Sequence, residues 1–276
     1  MRPPAKAREA LVASLRREVS RLEAGRPPED EVPISTGSPA LDRLLPAGGL
    51  RRGTLVEYLT SAAGSGAGTL ALATAREACG EGRAFVVVDG SVIDTLRVPF
   101  EADGTRSATT THFYPSAIAA WGIDPSAMLV LRPVSEADAL WTLDQALRCP
   151  GVGAVWARCG RLDTRDFRRL QLAAEYGGTL GLLLRSARQR GQPTWADVQW
   201  EVRCRSRETQ RNAPFVQMTP WRLHVELVRC RGAAGGRAVV LELDEASGVW
   251  REAFDHATHS LPLSALLAHP AAPRRA

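Results

Sequence analysis

The sequence TSAAGSGAGT at residues 60–69 follows a short apolar run and enters a helix-like stretch, the outline of a loop that holds phosphates. In the working pattern G-x-x-x-x-G-K-[ST], backbone amides cradle the phosphates, the lysine reaches the outer ones and the hydroxyl binds Mg²⁺. With the pattern set on Gly66, this chain has Ser61 at the first glycine, Ala67 at the lysine and Gly68 at the hydroxyl. A change of register brings no cation, because Lys6 is the only lysine of the chain. Ser61, Gly64, Ser65, Gly66, Ala67, Gly68 and Thr69 therefore read as a vestigial nucleotide loop; no cofactor is expected, and ATP binding is in doubt. By itself the loop also fits an ordinary turn that starts a helix.

A second group is basic. After an apolar stretch ending at Leu184, the chain reads RSARQRGQPTWADVQW, in which Arg185, Arg188 and Arg190 are candidates for phosphate contact. Trp195 and Trp200 could stack on bases, although core packing is the commoner use of such aromatics. His256 and His259 have the i, i+3 spacing of a metal pair but no carboxylate or cysteine company, so no metal site is expected. The five cysteines, Cys79, Cys149, Cys159, Cys204 and Cys230, form no C-x-x-C pair and lie in apolar segments, which reads as buried, reduced thiols.

The elements that would position these groups alternate. Residues 34–50 read as a docking turn with a short helix, Ser38 as its cap and Pro39 at its first position. Strands are expected at 54–59, 84–88, 128–131, 152–157 and 179–184, and helices at 69–79, 115–121, 135–148 and 163–176. Such alternation builds a parallel sheet with helices on both faces. Gly177-Gly178 stops the last helix, whose Phe167, Leu170, Leu172 and Ala173 are assigned to the sheet, with Arg165, Arg168 and Arg169 outward. The helix arginines and the loop arginines are expected at opposite ends of the sheet. Alternating segments at 198–203, 221–230 and 238–243, the last two joined by a hairpin at 232–236, predict an antiparallel finish.

Residues 1–31 read as an N-terminal helix and linker: an amphipathic helix at 5–23 with a stripe of Leu11, Leu15, Val19 and Leu22, followed by a breaker at residues 25–28. The main core is assigned to 32–259, a polar, threonine-rich surface insertion to 91–112 and a tail to 260–276. No stretch approaches the length of a membrane span, so a soluble, cytoplasmic protein is expected. Net charge is +5, and residues 161–231 hold fourteen arginines against seven acidic residues, an asymmetry that suits nucleic acid or an acidic partner.

In order and spacing, ISTG, LD, GGL, the strand ending near Glu57, the glycine-rich loop, FVVVD and YPSAIAAWGID resemble the RecA core. More specifically, ALWTLDQALRCPGVGAVWA followed by FRRLQLAAEYGGTLGLLLR resembles the ImuA family, RecA-like accessory proteins of bacterial mutagenic translesion synthesis. The resemblance implies a RecA-like α/β fold and a role in the SOS response through binding RecA and an ImuB-type partner, which recruits an error-prone C-family polymerase. Single-stranded DNA is a further candidate partner. Leu11, Leu15, Val19, Leu22, Arg165, Arg168 and Arg169 are the candidate partner-binding residues. Carrying the RecA pattern over exposes more departures: Gly90-Ser91 stands where the water-activating glutamate follows Asp89, and Arg158 where the metal-positioning aspartate belongs. The expectation is a non-catalytic interaction protein. The alternatives are a RecA- or KaiC-like ATPase in which arginines replace the lysine, and a division inhibitor of the SulA kind.

Overall fold

In the computed structural model, residues 32–61, 64–90, 113–205, 221–244 and 247–253 are described. The amphipathic stretch with Leu11, Leu15, Val19 and Leu22, the insertion at 91–112, the histidine pair and the tail lie outside them.

The chain enters through an antiparallel bridge between Ile34 and Leu50 that closes the docking turn. Inside it lies α1 (Pro39–Asp42). Ser38 stands at the N-cap as expected, but its hydroxyl makes no capping bond and has no hydrogen-bond partner among the described residues. Asp42 does the local work instead. Its carboxylate accepts from Ser35 Oγ (2.6 Å), the Thr36 amide (2.8 Å) and Thr36 Oγ1 (2.7 Å), tying the turn back on itself.

The strands β1 (Leu55–Thr60), β2 (Ala84–Val88), β3 (Met128–Leu131), β4 (Val152–Arg158), β5 (Leu180–Ser186), β6 (Val198–Arg205), β7 (Arg222–Cys230), β8 (Arg237–Asp244) and β9 (Val249–Glu252) form one nine-stranded sheet in the order 3-2-4-5-1-6-7-8-9. Pairing is parallel from β3 through β6 and antiparallel from β6 onward. Both the expected class and the antiparallel finish are observed. The fourth antiparallel strand, β9, went unread in the sequence because four residues behind the turn at Gly248 carry too little alternation.

Helix α2 (Ala67–Ala78) covers one face together with the docking turn. Helices α3 (Glu136–Arg148) and α4 (Thr164–Gly177) cover the other. Successive strand residues therefore belong to different cores: Val56 and Tyr58 of β1 pack under α2, whereas Leu55 packs under α3 and α4. Burial on both faces is why β2 reads as an unbroken apolar run. Ser135 and Asp163 cap α3 and α4, each accepting from the amide three residues on. The expected helix at 115–121 is instead two 3₁₀ turns, Pro115–Ala117 and Ala119–Trp121, closed by Gly122 at φ 76°. Leu172, assigned to the sheet from its spacing, is 44 % exposed on the outer side of α4.

The cysteines are all free, but they are not uniformly buried. Cys149 and Cys204 are exposed, against expectation, because each sits at the end of its element. Burial pushes the Cys159 thiol up to about 12 and the Cys79 and Cys230 thiols up to about 11. Since the thiolate is the reacting species, those three should stay protonated and unreactive at pH 8. Titration of the folded protein with a thiol reagent should label Cys149 and Cys204 rapidly and the other three only after denaturation. Rapid labelling of Cys159 in the native protein would contradict this burial.

Candidate functional site

The loop that opens α2 leaves the C-terminal end of β1, between β5 and β6, and so lies near the middle of the sheet. Thr60 Oγ1 bonds Ser65 Oγ, and that oxygen in turn accepts from the Ala67 amide at 3.3 Å. The hydroxyls at this end of the loop thus bond one another and the backbone. Gly64 and Gly66 adopt φ of 75° and 89°, and Gly66 is the N-cap of α2. Ser61 is exposed, whereas Ser65, Gly66 and Ala67 are buried, and Gly68 and Thr69 are half-buried. Ala67, at the lysine place, is 1 % exposed and belongs to the core under α2.

Apolar side chains from other strands close around this turn. A methyl group on Gly66 would meet Leu223 Cδ1 at 2.9 Å and Trp221 Cζ2 at 3.1 Å. One on Gly68 would lie 3.4 Å from Leu184 Cδ2 and 3.7 Å from Trp156 Cζ2. Trp221 and Leu223 lie more than 150 residues downstream of the loop, so no local sequence signal could assign them there.

At the neighbouring ends of β2 and β4, Asp89 is buried and accepts from the Phe113 amide (3.1 Å) and faces Arg132 Nε (3.5 Å). Arg158 holds its guanidinium over the Trp156 ring, 5.6 Å from the centroid, and Phe113 packs on the same ring at 5.2 Å. Asp89 is therefore engaged by a backbone amide and an arginine. Ser91 lies outside the described residues.

The basic loop departs from expectation. Arg185 is the last long side chain of β5 and is 3 % exposed. It is ion-paired with Glu57 of β1, which is fully buried. Its Nε and Nη2 donate to the Gly160 carbonyl at 3.3 and 3.2 Å, and its guanidinium lies 5.2 Å from the Phe167 ring centroid. Thr194 Oγ1 and Gln199 Nε2 each donate to Glu57 Oε2 at 2.8 Å. Arg185 is thus an internal cation and not a phosphate contact. Arg190 is paired with Glu201 and Glu226, which leaves its charge compensated. Burial pushes the Glu201 carboxyl up, but hydrogen bonds from Arg190 and Arg203 outweigh it and hold the group below the usual carboxylate range. Of the three candidates, Arg188 is the one whose side chain stands exposed without a charge partner among the described residues.

The helix arginines are also divided. Arg165 is exposed; Arg168 bonds Gln171 and lies 4.6 Å over the Trp195 ring; Arg169 pairs with Asp144 of α3 at 3.0 Å. The expected separation of helix and loop clusters is not found. Because α4 starts where β4 ends, its first turns stand beside the segment that leaves β5, as the Arg168–Trp195 and Arg185–Phe167 contacts demonstrate. Trp200 is fully buried in the core under α2, and Trp195 is packed against the other core, so both tryptophans are used structurally. Arg168 and Trp195 also border a groove of about 1780 Å³ that runs between α4, the docking turn and the ends of β6 and β7.

A strand–loop–helix unit beside the centre of a parallel sheet of this order, with an antiparallel extension, is a RecA-like fold. The crystal structure of the RadB recombinase is similar to it, with a TM-score of 0.53 at 16 % identity over 80 % of this chain and 100 % of that one, a likeness of fold alone. No protein-family model matches the chain, and no match was found among curated proteins.

Proposed function

We propose that this chain is a non-catalytic, RecA-like accessory protein of SOS-induced mutagenic translesion DNA synthesis, of the ImuA kind. It acts by binding RecA and an ImuB-type partner, through which an error-prone C-family polymerase is recruited. The observation that carries the reading is the chemistry of the loop: a buried Ala67 and a glycine stand where phosphoryl transfer needs a cation and a metal-binding hydroxyl. Electrostatic stabilisation is the main catalytic contribution in such transfers, so these two losses remove most of it. The ImuA-like segments support the same reading, since they form α3–β4 and α4–β5, contiguous elements of the sheet and one helical face.

The test is a pull-down of the purified full chain with RecA and the ImuB-type partner, with and without single-stranded DNA. Retention of neither would sink the proposal. Mg²⁺-ATP is expected to leave the melting temperature unchanged, because only a ligand that binds the native state raises it. Restoring lysine alone, Ala67→Lys, is expected to give no Mg²⁺-dependent ATP turnover, as Gly68 and Arg158 still leave the metal without ligands. A rise in melting temperature with Mg²⁺-ATP in the unmodified protein would favour the ATPase reading, with Arg132 or Arg158 as the phosphate cation.

A further inference from the structure

The groove of about 1780 Å³ between α4, the docking turn and the ends of β6 and β7 shares no lining residue with the glycine-rich loop. Small-molecule sites hold roughly 300–1,000 Å³, so its size suits a length of polypeptide better. Leu45, Leu50, Pro193 and Val228 supply apolar lining. The charged lining is Arg51, Arg168, Arg229 and Arg231 against Glu175 and Asp197, four cations to two carboxylates and so a balance of +2. Both carboxylates are engaged from within: Arg231 Nη1 meets Asp197 Oδ1 at 3.3 Å, and Gln171, itself bonded by Arg168, donates to Glu175. Arg229 is exposed, and its Nη1 donates to the Ala196 carbonyl at 2.6 Å. That neutral partner fixes the guanidinium without cancelling its charge.

The path of the chain leads to the same groove. Ile34 and Leu50 are antiparallel partners, a register that brings Pro33 opposite Arg51. A methyl group on Gly49, which lines the groove, would meet Pro33 Cβ at 3.0 Å. Val32, the next residue outward, is 81 % exposed, and before it the sequence at 24–31 reads AGRPPEDE. Glu29, Asp30 and Glu31 stand there against Arg26, three carboxylates to one cation and so a balance of −2. Prolines at 27, 28 and 33 bias the residue before each toward extended backbone. At about 3.1 Å per residue, such a segment reaches roughly 25 Å.

We propose that residues 24–31 of this chain lie extended in the groove, with Glu29, Asp30 and Glu31 on Arg51 and Arg229 and the prolines against the apolar lining. A segment tethered this closely acts at a millimolar effective concentration, which holds the groove against acidic segments of other molecules. The stretch at 5–23 is thereby kept beside the body, and its stripe of Leu11, Leu15, Val19 and Leu22 faces a partner with less freedom to lose on binding. This occupant lies beyond the proposed function, and testing it needs neither RecA nor an ImuB-type protein.

Two measurements on the full chain decide it. Under a glutamate-specific protease, the bonds after Glu29 and Glu31 should be cut at least about tenfold more slowly than in a synthetic peptide of residues 24–33. Asp30→Arg and Arg51→Gln/Arg229→Gln should each restore the peptide rate at an unchanged melting temperature. Asp30→Arg alters no groove residue, so it carries the test if the arginine pair is needed for folding. The second measurement is cross-linking in a Cys149→Ser/Cys204→Ser background, with Pro28→Cys combined either with Gln192→Cys, exposed in the groove lining, or with Glu136→Cys, exposed on α3. A short bismaleimide should join positions 28 and 192 within one monomer and leave 28 and 136 unjoined. Cleavage of the unmodified protein at the peptide rate overturns the proposal, as does cross-linking at 192 that is absent or no greater than at 136. A 28–192 cross-link confined to covalent dimers also overturns it, because the occupant would then be the segment of a second copy. Slow cleavage and the monomer cross-link together with a failed RecA and ImuB-type pull-down would reject the proposed function and leave the groove's occupant standing.

Discussion

Replacement of Arg185 by methionine should destabilise the folded protein by about 3–5 kcal/mol, the cost of leaving a buried charge without its partner. Glu57 is fully buried, and without Arg185 its carboxylate keeps, among the described residues, the Thr194 hydroxyl and the Gln199 amide as donors. The Gly160 carbonyl loses two donors in the same step. Urea unfolding followed by far-ultraviolet circular dichroism measures the loss. The double variant Glu57→Gln/Arg185→Met should recover part of it, because it removes the stranded charge, and the shortfall from additivity reports the coupling across β1 and β5. An Arg185→Met protein as stable as the starting one, with weaker binding to single-stranded DNA, would return Arg185 to the surface role expected from its sequence context.

The second large effect is expected at a glycine inside a helix. In most helices glycine to alanine is stabilising by about 1 kcal/mol, since glycine loses more backbone freedom on folding. Gly177→Ala should run the other way and cost about 1–3 kcal/mol, because the extra carbon is forced into a packed contact. A Cβ there would collide with the Leu147 carbonyl oxygen and sit 2.8 Å from the Arg148 carbonyl carbon, both backbone atoms at the end of α3. Neither can move without shifting the helix. The next residue differs in kind: Gly178, at φ 63°, is the left-handed C-cap of α4, and a Cβ there meets nothing within 4 Å. Gly178→Ala should therefore cost about 1 kcal/mol from backbone strain alone. Paired thermal melts of the two variants test the ranking. An equal or smaller loss at Gly177 would show that α3 and α4 are free to separate.

Local chemistry by itself determined the class and most of the elements, the helix expected at 115–121 and the unread β9 being the exceptions. The caps at Ser135 and Asp163, the stop at Gly178 and the apolar run of β2 are decided by residues adjacent in the chain, and so are legible without a fold. The lack of a lysine and a hydroxyl at Ala67 and Gly68 was equally plain, since a missing functional group needs no geometry to be noticed. What only the tertiary structure decided was which charged residues face water. Arg185 sits in a basic loop by sequence, but β5 lies beside β1, so the side chain meets Glu57, which is 128 residues away in the chain. Ser38 looked like a cap until the folded turn gave Asp42 the Ser35 hydroxyl and the Thr36 amide and hydroxyl. Leu172 fits an inward spacing, yet a helix packed against both a sheet and a neighbouring helix has its direction set by those two contacts, and the residue falls on the far side. Burial and ion pairing depend on neighbours supplied by strand order, which is a property of the whole chain and leaves no trace in a local window.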